Sequence, residues 1–116
     1  MISITAPERA PAEVHGFSQL LRLSFADVDF LNTEISARAK AKIKDGFTSL
    51  QAKEIHAFVR ALAPEIRSVV VHCEGGYSRS CGVVLALHNI YGFAVNLNSL
   101  SQANRSVVAT MDVNKR

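Results

Sequence analysis

The chain is poor in the residues that mark special classes of protein. Three prolines and six glycines in 116 residues leave no room for a collagen-like repeat or a low-complexity tract. Two cysteines are too few for the disulfide framework of a small secreted domain, so chemistry is the better reason for at least one of them. The longest apolar runs, at Ser68–Val71 and Val83–Leu87, fall far short of the ~20 residues needed to span a bilayer. The opening segment MISITAPERAPAEV has neither a basic start nor a long apolar region. No signal peptide is expected, and the cytoplasm is the expected location. His15, His56 and His88 lie far apart and show no metal-ligand spacing. A net charge of +3 suits an anionic ligand but lacks the concentrated positive charge of a nucleic-acid binder.

What is present is a composition of 48% hydrophobic and 20% charged residues, ordinary for one globular domain spanning residues 1–116. Ile2–Thr5 alternates like a short strand, and Leu20–Phe25 reads as a second, followed by a loop at Ala26–Asp29. Asn32–Gly46 reads as an exposed helical or irregular segment, and its basic run at Ala37–Lys44 (ARAKAKIK) as either a solvated face or a rim that attracts phosphorylated substrates. Thr48–Ala63 is a helix opened by a Thr48/Gln51 capping box, with Ile55, Phe58, Val59 and Leu62 on one face. Ser68–His72 reads as a buried central strand because three valines run without alternation. Arg79–Tyr91 is an apolar helix stopped by Gly92, and a last helix is expected over Ser99–Met111 with a Ser99/Gln102 capping box. This order predicts an α/β domain with a mainly parallel sheet flanked by helices. Ligands of such sheets bind beyond the carboxyl ends of the strands, where Asp27 and Cys73 fall.

The chemistry concentrates in VVVHCEGGYSRSCGVVLAL, Val69–Leu87. Its loop joins a strand end to a helix start, where backbone N–H groups of Glu74, Gly75, Gly76, Tyr77 and Ser78 can converge on an anion. Gly75 and Gly76 allow the close approach of an oxyanion. Arg79 can grip two phosphate oxygens with its planar fork. The same positive field favours the thiolate of Cys73, a nucleophile near neutral pH. A thiolate beneath a bound phosphate points to attack on phosphorus. Ser80 is placed to hydrogen-bond that thiolate, and His72 to orient the loop.

The pattern His72-Cys73-x-x-Gly76-x-x-Arg79-Ser80 resembles the signature of the cysteine-dependent protein tyrosine phosphatases, closest to their small dual-specificity branch. With average residue usage, five such matches arise at on the order of one in ten million positions. The resemblance extends more weakly upstream, through Leu20–Asp27 and Phe47–Val59. It implies a compact dual-specificity-like fold and hydrolysis of phosphomonoesters, above all protein phosphotyrosine, through a cysteinyl-phosphate. It also implies that no cofactor is needed, with a phosphorylated protein or small phosphomonoester as substrate. The family uses a general acid on a separate loop because an alkoxide leaves poorly. Asp27 is the first candidate, Asp29 the second and Asp45 the third. Glu74 stands where the family's phosphoinositide phosphatases tend to carry lysine, which argues against highly phosphorylated lipid heads.

Other readings use the same loop. A rhodanese-type sulfurtransferase has one residue fewer before its arginine, and an arsenate reductase needs resolving cysteines, of which only Cys81 is available. A reversible Cys73–Cys81 disulfide is a further option. From a different class comes a binding module that keeps the phosphate loop without turnover and sequesters a phosphorylated protein or nucleotide. Tyr77 either lines the pocket mouth or packs on the sheet, and Asn104 and Arg105 either reach the site or face solvent.

Overall fold

The computed structural model describes residues 1–10, 16, 19–28, 45–62, 68–73 and 78–115. Three strands, β1 (Ile2–Thr5), β2 (Leu21–Ser24) and β3 (Val71–His72), form one sheet in the order β2-β1-β3. Both pairings are parallel. Three helices follow in the described residues: α1 (Ser49–Arg60), α2 (Arg79–Tyr91) and α3 (Arg105–Val113), with a 3-10 turn at Leu97–Leu100. The expected α/β domain with a parallel sheet is therefore observed. No helix among the described residues is long and apolar enough to cross a membrane.

The register explains the core. Ile2 sits opposite Leu21 and Val71, and Ile4 opposite Leu23, so these side chains share one face of the sheet. That face meets Ala52, Ile55 and Val59 of α1, Val83, Ala86 and Leu87 of α2, and Val107 and Met111 of α3 in a single cluster. Phe25, just past β2, closes the cluster against Phe47 with ring centroids 4.8 Å apart. Burying one such side chain stabilises the fold by about 1.5–3 kcal/mol. The opposite face presents Ser3, Thr5, Arg22, Ser24 and His72, and both Ser3 and Thr5 are buried.

Helix boundaries follow the capping chemistry. Thr48 Oγ1 accepts from the Gln51 amide at 3.1 Å while Gln51 Oε1 accepts from the Thr48 amide at 3.1 Å, the expected capping box. Gln51 Nε2 also donates to the Ser24 carbonyl at 2.8 Å, which ties the start of α1 to the end of β2. α2 ends at Gly92, whose φ of 79° is left-handed and whose N–H returns to the His88 carbonyl. Gly82 serves close approach instead. A Cβ there would meet the Asn104 carbonyl and Val107 Cβ, both at 3.0 Å, so glycine lets α2 lie against the start of α3.

Two expectations are corrected. The last helix does not start at Ser99. A separate 3-10 turn covers that region, and α3 begins at Arg105 with Asn104 as its cap. The strand before Cys73 is shorter than Ser68–His72 and lies at the edge of the described sheet, with β1 at its centre. Val70 is 45% exposed, so the valine run marks a strand covered on one side only at that point.

Candidate functional site

Four backbone segments meet beyond the carboxyl ends of the parallel strands. They are the Phe25–Val28 loop after β2, Cys73 after β3, the start of α2 and the start of α3. Cys73 is half-buried, and its Sγ lies 3.2 Å from Ser80 Oγ. In the neutral state the thiol donates to the hydroxyl, and as a thiolate the sulfur accepts from it. Ser80 is itself buried on the first turn of α2, so its hydroxyl is held in place.

Asp27 is exposed, and one of its oxygens is doubly engaged. Oδ1 accepts from Ser78 Oγ at 2.8 Å and from Asn104 Nδ2 at 2.9 Å. Ser78 occupies the cap position of α2 without capping it, because its hydroxyl serves Asp27 instead. The contact joins positions 51 residues apart and brings a carboxylate to the exit of the Cys-to-Arg loop. Arg79 reinforces the junction. It is only 9% exposed, and its Nη1 donates to the Phe25 carbonyl at 3.1 Å. The guanidinium is thereby oriented by the backbone of the loop that carries Asp27.

Asn104 is the residue on which these segments turn. It is 4% exposed. Its Oδ1 accepts from the Ser106 and Val107 amides and caps α3. Its Nδ2 donates to Asp27 Oδ1 and to the Val28 carbonyl at 3.1 Å, and its backbone N–H donates to the Ser78 carbonyl at 3.0 Å. Of the two placements open to Asn104 in the sequence, the inward one holds, while Arg105 is exposed. The missed signal is an asparagine followed by Arg-Ser-Val-Val, a cap ahead of an apolar stripe.

Asp45 lies beside this loop through its backbone: its carbonyl accepts from the Ala26 N–H, while the residue itself is exposed. Glu74, Gly75, Gly76 and Tyr77, the middle of the expected phosphate cradle, lie outside the described residues, as do Asp29 and the basic segment 37–44. His72 ends β3, and its buried Nε2 has no hydrogen-bond partner. Cys81, one residue past Ser80, is buried. Burial pushes its thiol pKa up, charge on Cys73 pushes it further, and a hydrogen bond with Ser80 opposes them. No group of three or more metal-ligating side chains occurs among the described residues.

The chain was compared with family models, curated proteins and solved structures, and none of the three gives a match.

Proposed function

We propose that this chain is a cysteine phosphatase acting on phosphomonoesters, phosphotyrosine of proteins above all, with a compact dual-specificity-like fold. Cys73 attacks phosphorus while the bond to the leaving oxygen breaks, and the phosphoryl group passes to sulfur. Asp27 gives its proton to the leaving oxygen. Water, activated by the same carboxylate, then hydrolyses the cysteinyl-phosphate and releases inorganic phosphate. Arg79 and the amides of Glu74–Ser78 hold the equatorial oxygens, preorganised for the charge of the transition state. Ser80 stabilises the thiolate as nucleophile and again as leaving group. This chemistry asks for no metal or cofactor.

The observation that carries this reading is the Asp27 carboxylate held against Ser78. An exposed acid is fixed at the exit of a loop that begins with a half-buried cysteine and ends with a buried arginine. Only Oδ1 is engaged by Ser78 and Asn104, which leaves Oδ2 for the proton. A second reading, a phosphate-loop module that binds without turnover, draws on Arg79: one arm of its fork is already given to the Phe25 carbonyl.

Hydrolysis of p-nitrophenyl phosphate from mildly acidic to neutral pH, with a chelator present, separates the two. Turnover in the wild type, abolished by Cys73→Ser and lowered at least about a hundredfold by Asp27→Asn, is the expected result. Folded, reduced wild type that retains phosphate without turnover would establish the binding module instead.

A further inference from the structure

β3 is short and lies at the edge of the described sheet, yet the residue that follows it is Cys73. Two residue pairs, Ile2 with Val71 and Ser3 with His72, define its ladder with β1. A strand end held by so short a ladder opens readily unless side chains fasten it.

Ser3 and His72 stand opposite each other in that ladder, so their side chains leave the sheet on the same side. Neighbouring strands run about 4.8 Å apart. Ser3 is 1% exposed, and its Oγ has no hydrogen-bond partner. His72 Nε2 is the other buried polar side-chain atom in the same state among the described residues. Native interiors keep few such orphans, and here two of them are neighbours. A serine adds nothing to packing that alanine would not supply, and it brings a hydroxyl that must be satisfied. One buried water between the two atoms satisfies both, since a hydroxyl can donate or accept and an imidazole nitrogen can do either according to tautomer.

The geometry points to Ser3 as a positioning residue for the nucleophile. Its hydroxyl, joined to His72 Nε2 through one buried water, anchors the imidazole and fixes the strand end from which Cys73 leaves the sheet. The anchored ring has one tautomer and one orientation, whereas an unanchored ring has neither. This inference rests on Cys73 being the reactive thiol of the proposed phosphatase.

Ser3→Ala and Ser3→Thr test it in the full chain through urea stability, the rate of Cys73 alkylation by iodoacetamide at neutral pH, ring 15N signals of His72, and turnover of p-nitrophenyl phosphate. Ser3→Ala is expected to keep most of the wild-type stability, because alanine packs as serine does and only one water-mediated hydrogen bond is lost. Alkylation of Cys73 and kcat should nonetheless fall about tenfold with KM unchanged, the size of one lost supporting hydrogen bond. The His72 ring signals should shift, and Ser3→Thr should restore all three. Wild-type alkylation and ring signals in Ser3→Ala would overturn the inference. So would a loss of reactivity that merely tracks lost stability, which is the mark of packing. If Ser3→Ala does not fold, the wild-type spectrum decides: one fixed tautomer of His72, on either nitrogen, supports the anchor, and an averaging mixture overturns it. A wild type that alkylates at Cys73 but turns over no phosphate ester would sink the phosphatase, while alkylation and ring signals would still decide the role of Ser3.

Discussion

α2 and α3 are fastened to each other at both ends by polar groups, and the two fastenings differ in kind. At the starts of the helices, Asn104 bonds to the Ser78 carbonyl and, through Asp27, to the Ser78 hydroxyl. At their far ends, His56 of α1 bridges them, with Nδ1 2.5 Å from the Tyr91 hydroxyl and Nε2 2.9 Å from the Met111 carbonyl. The carbonyl can only accept, so Nε2 carries the hydrogen, and in the neutral ring Nδ1 accepts from Tyr91. Both ring nitrogens are thus committed, and His56 is 2% exposed. The near fastening instead includes an exposed carboxylate with one oxygen uncommitted by Ser78 and Asn104. A polar group whose valences are all satisfied inside the core gives stability, and one that keeps a valence open to solvent can do chemistry.

The strongest way to break this comparison is His56→Ala. The substitution leaves a cavity against Ile55-level packing and orphans the Tyr91 hydroxyl and the Met111 carbonyl. A loss of about 3 kcal/mol is expected in urea unfolding. The folded fraction should keep wild-type reactivity at Cys73. A drop in alkylation per folded molecule would mean that the far end also governs the site.

Asn104 is the converse case. Asn104→Ala removes the cap of α3 and the donors to Asp27 and Val28, with an expected cost of about 2 kcal/mol. Asn104→Asp separates the two roles. It keeps an acceptor for the Ser106 and Val107 amides, so most of the helix stability remains, but it sets a second carboxylate against Asp27. Proton donation matters most for a poor leaving group. Turnover of phenyl phosphate should therefore fall about tenfold further than that of p-nitrophenyl phosphate in the aspartate variant. Equal losses on both esters would mean that Asn104 supports the fold without acting on Asp27.

What could be read in the sequence was what local chemistry decides. The Thr48 capping box, the Gly92 stop and the alternation of Ile2–Thr5 each act within a few residues, and each is found as expected. The pairing of Cys73 with Ser80 follows from the same short range, a strand turning into a helix. The position of β3 at the edge of the described sheet was not legible, because a valine run does not reveal which strands lie beside it. Nor was the residue that holds Asp27, the first-ranked carboxylate. Asp27 acquires its place from Asn104, 77 residues away, and that asparagine was hidden inside a helix expected to begin at Ser99. The close approach that makes the contact possible depends on Gly82, whose meaning appears only when α3 lies against it.

The smallest effect sharpens the comparison inside the near fastening itself, where two thiols flank Ser80 in the chain. Cys73 is half-buried and Cys81 is buried on the first turn of α2, with its Sγ 3.7 Å from the Ser99 carbonyl. Burial and the charge of Cys73 hold the Cys81 thiol in its protonated form beyond its ordinary range. The thiolate is the reactive species, so at neutral pH iodoacetamide should place one adduct, on Cys73. A second adduct, on Cys81, should appear only as pH rises into the alkaline range or when urea unfolds the chain. The same raised pKa means that any stability carried by the neutral Cys81 thiol is present at neutral pH and is lost as pH climbs through its folded value. Peptide mapping after timed alkylation reads both sites at once. Equal labelling of the two cysteines at neutral pH would show that the start of α2 is open on both sides of Ser80, and the contrast between an open and a sealed polar cluster would then have to be drawn along the whole helix rather than between its two ends.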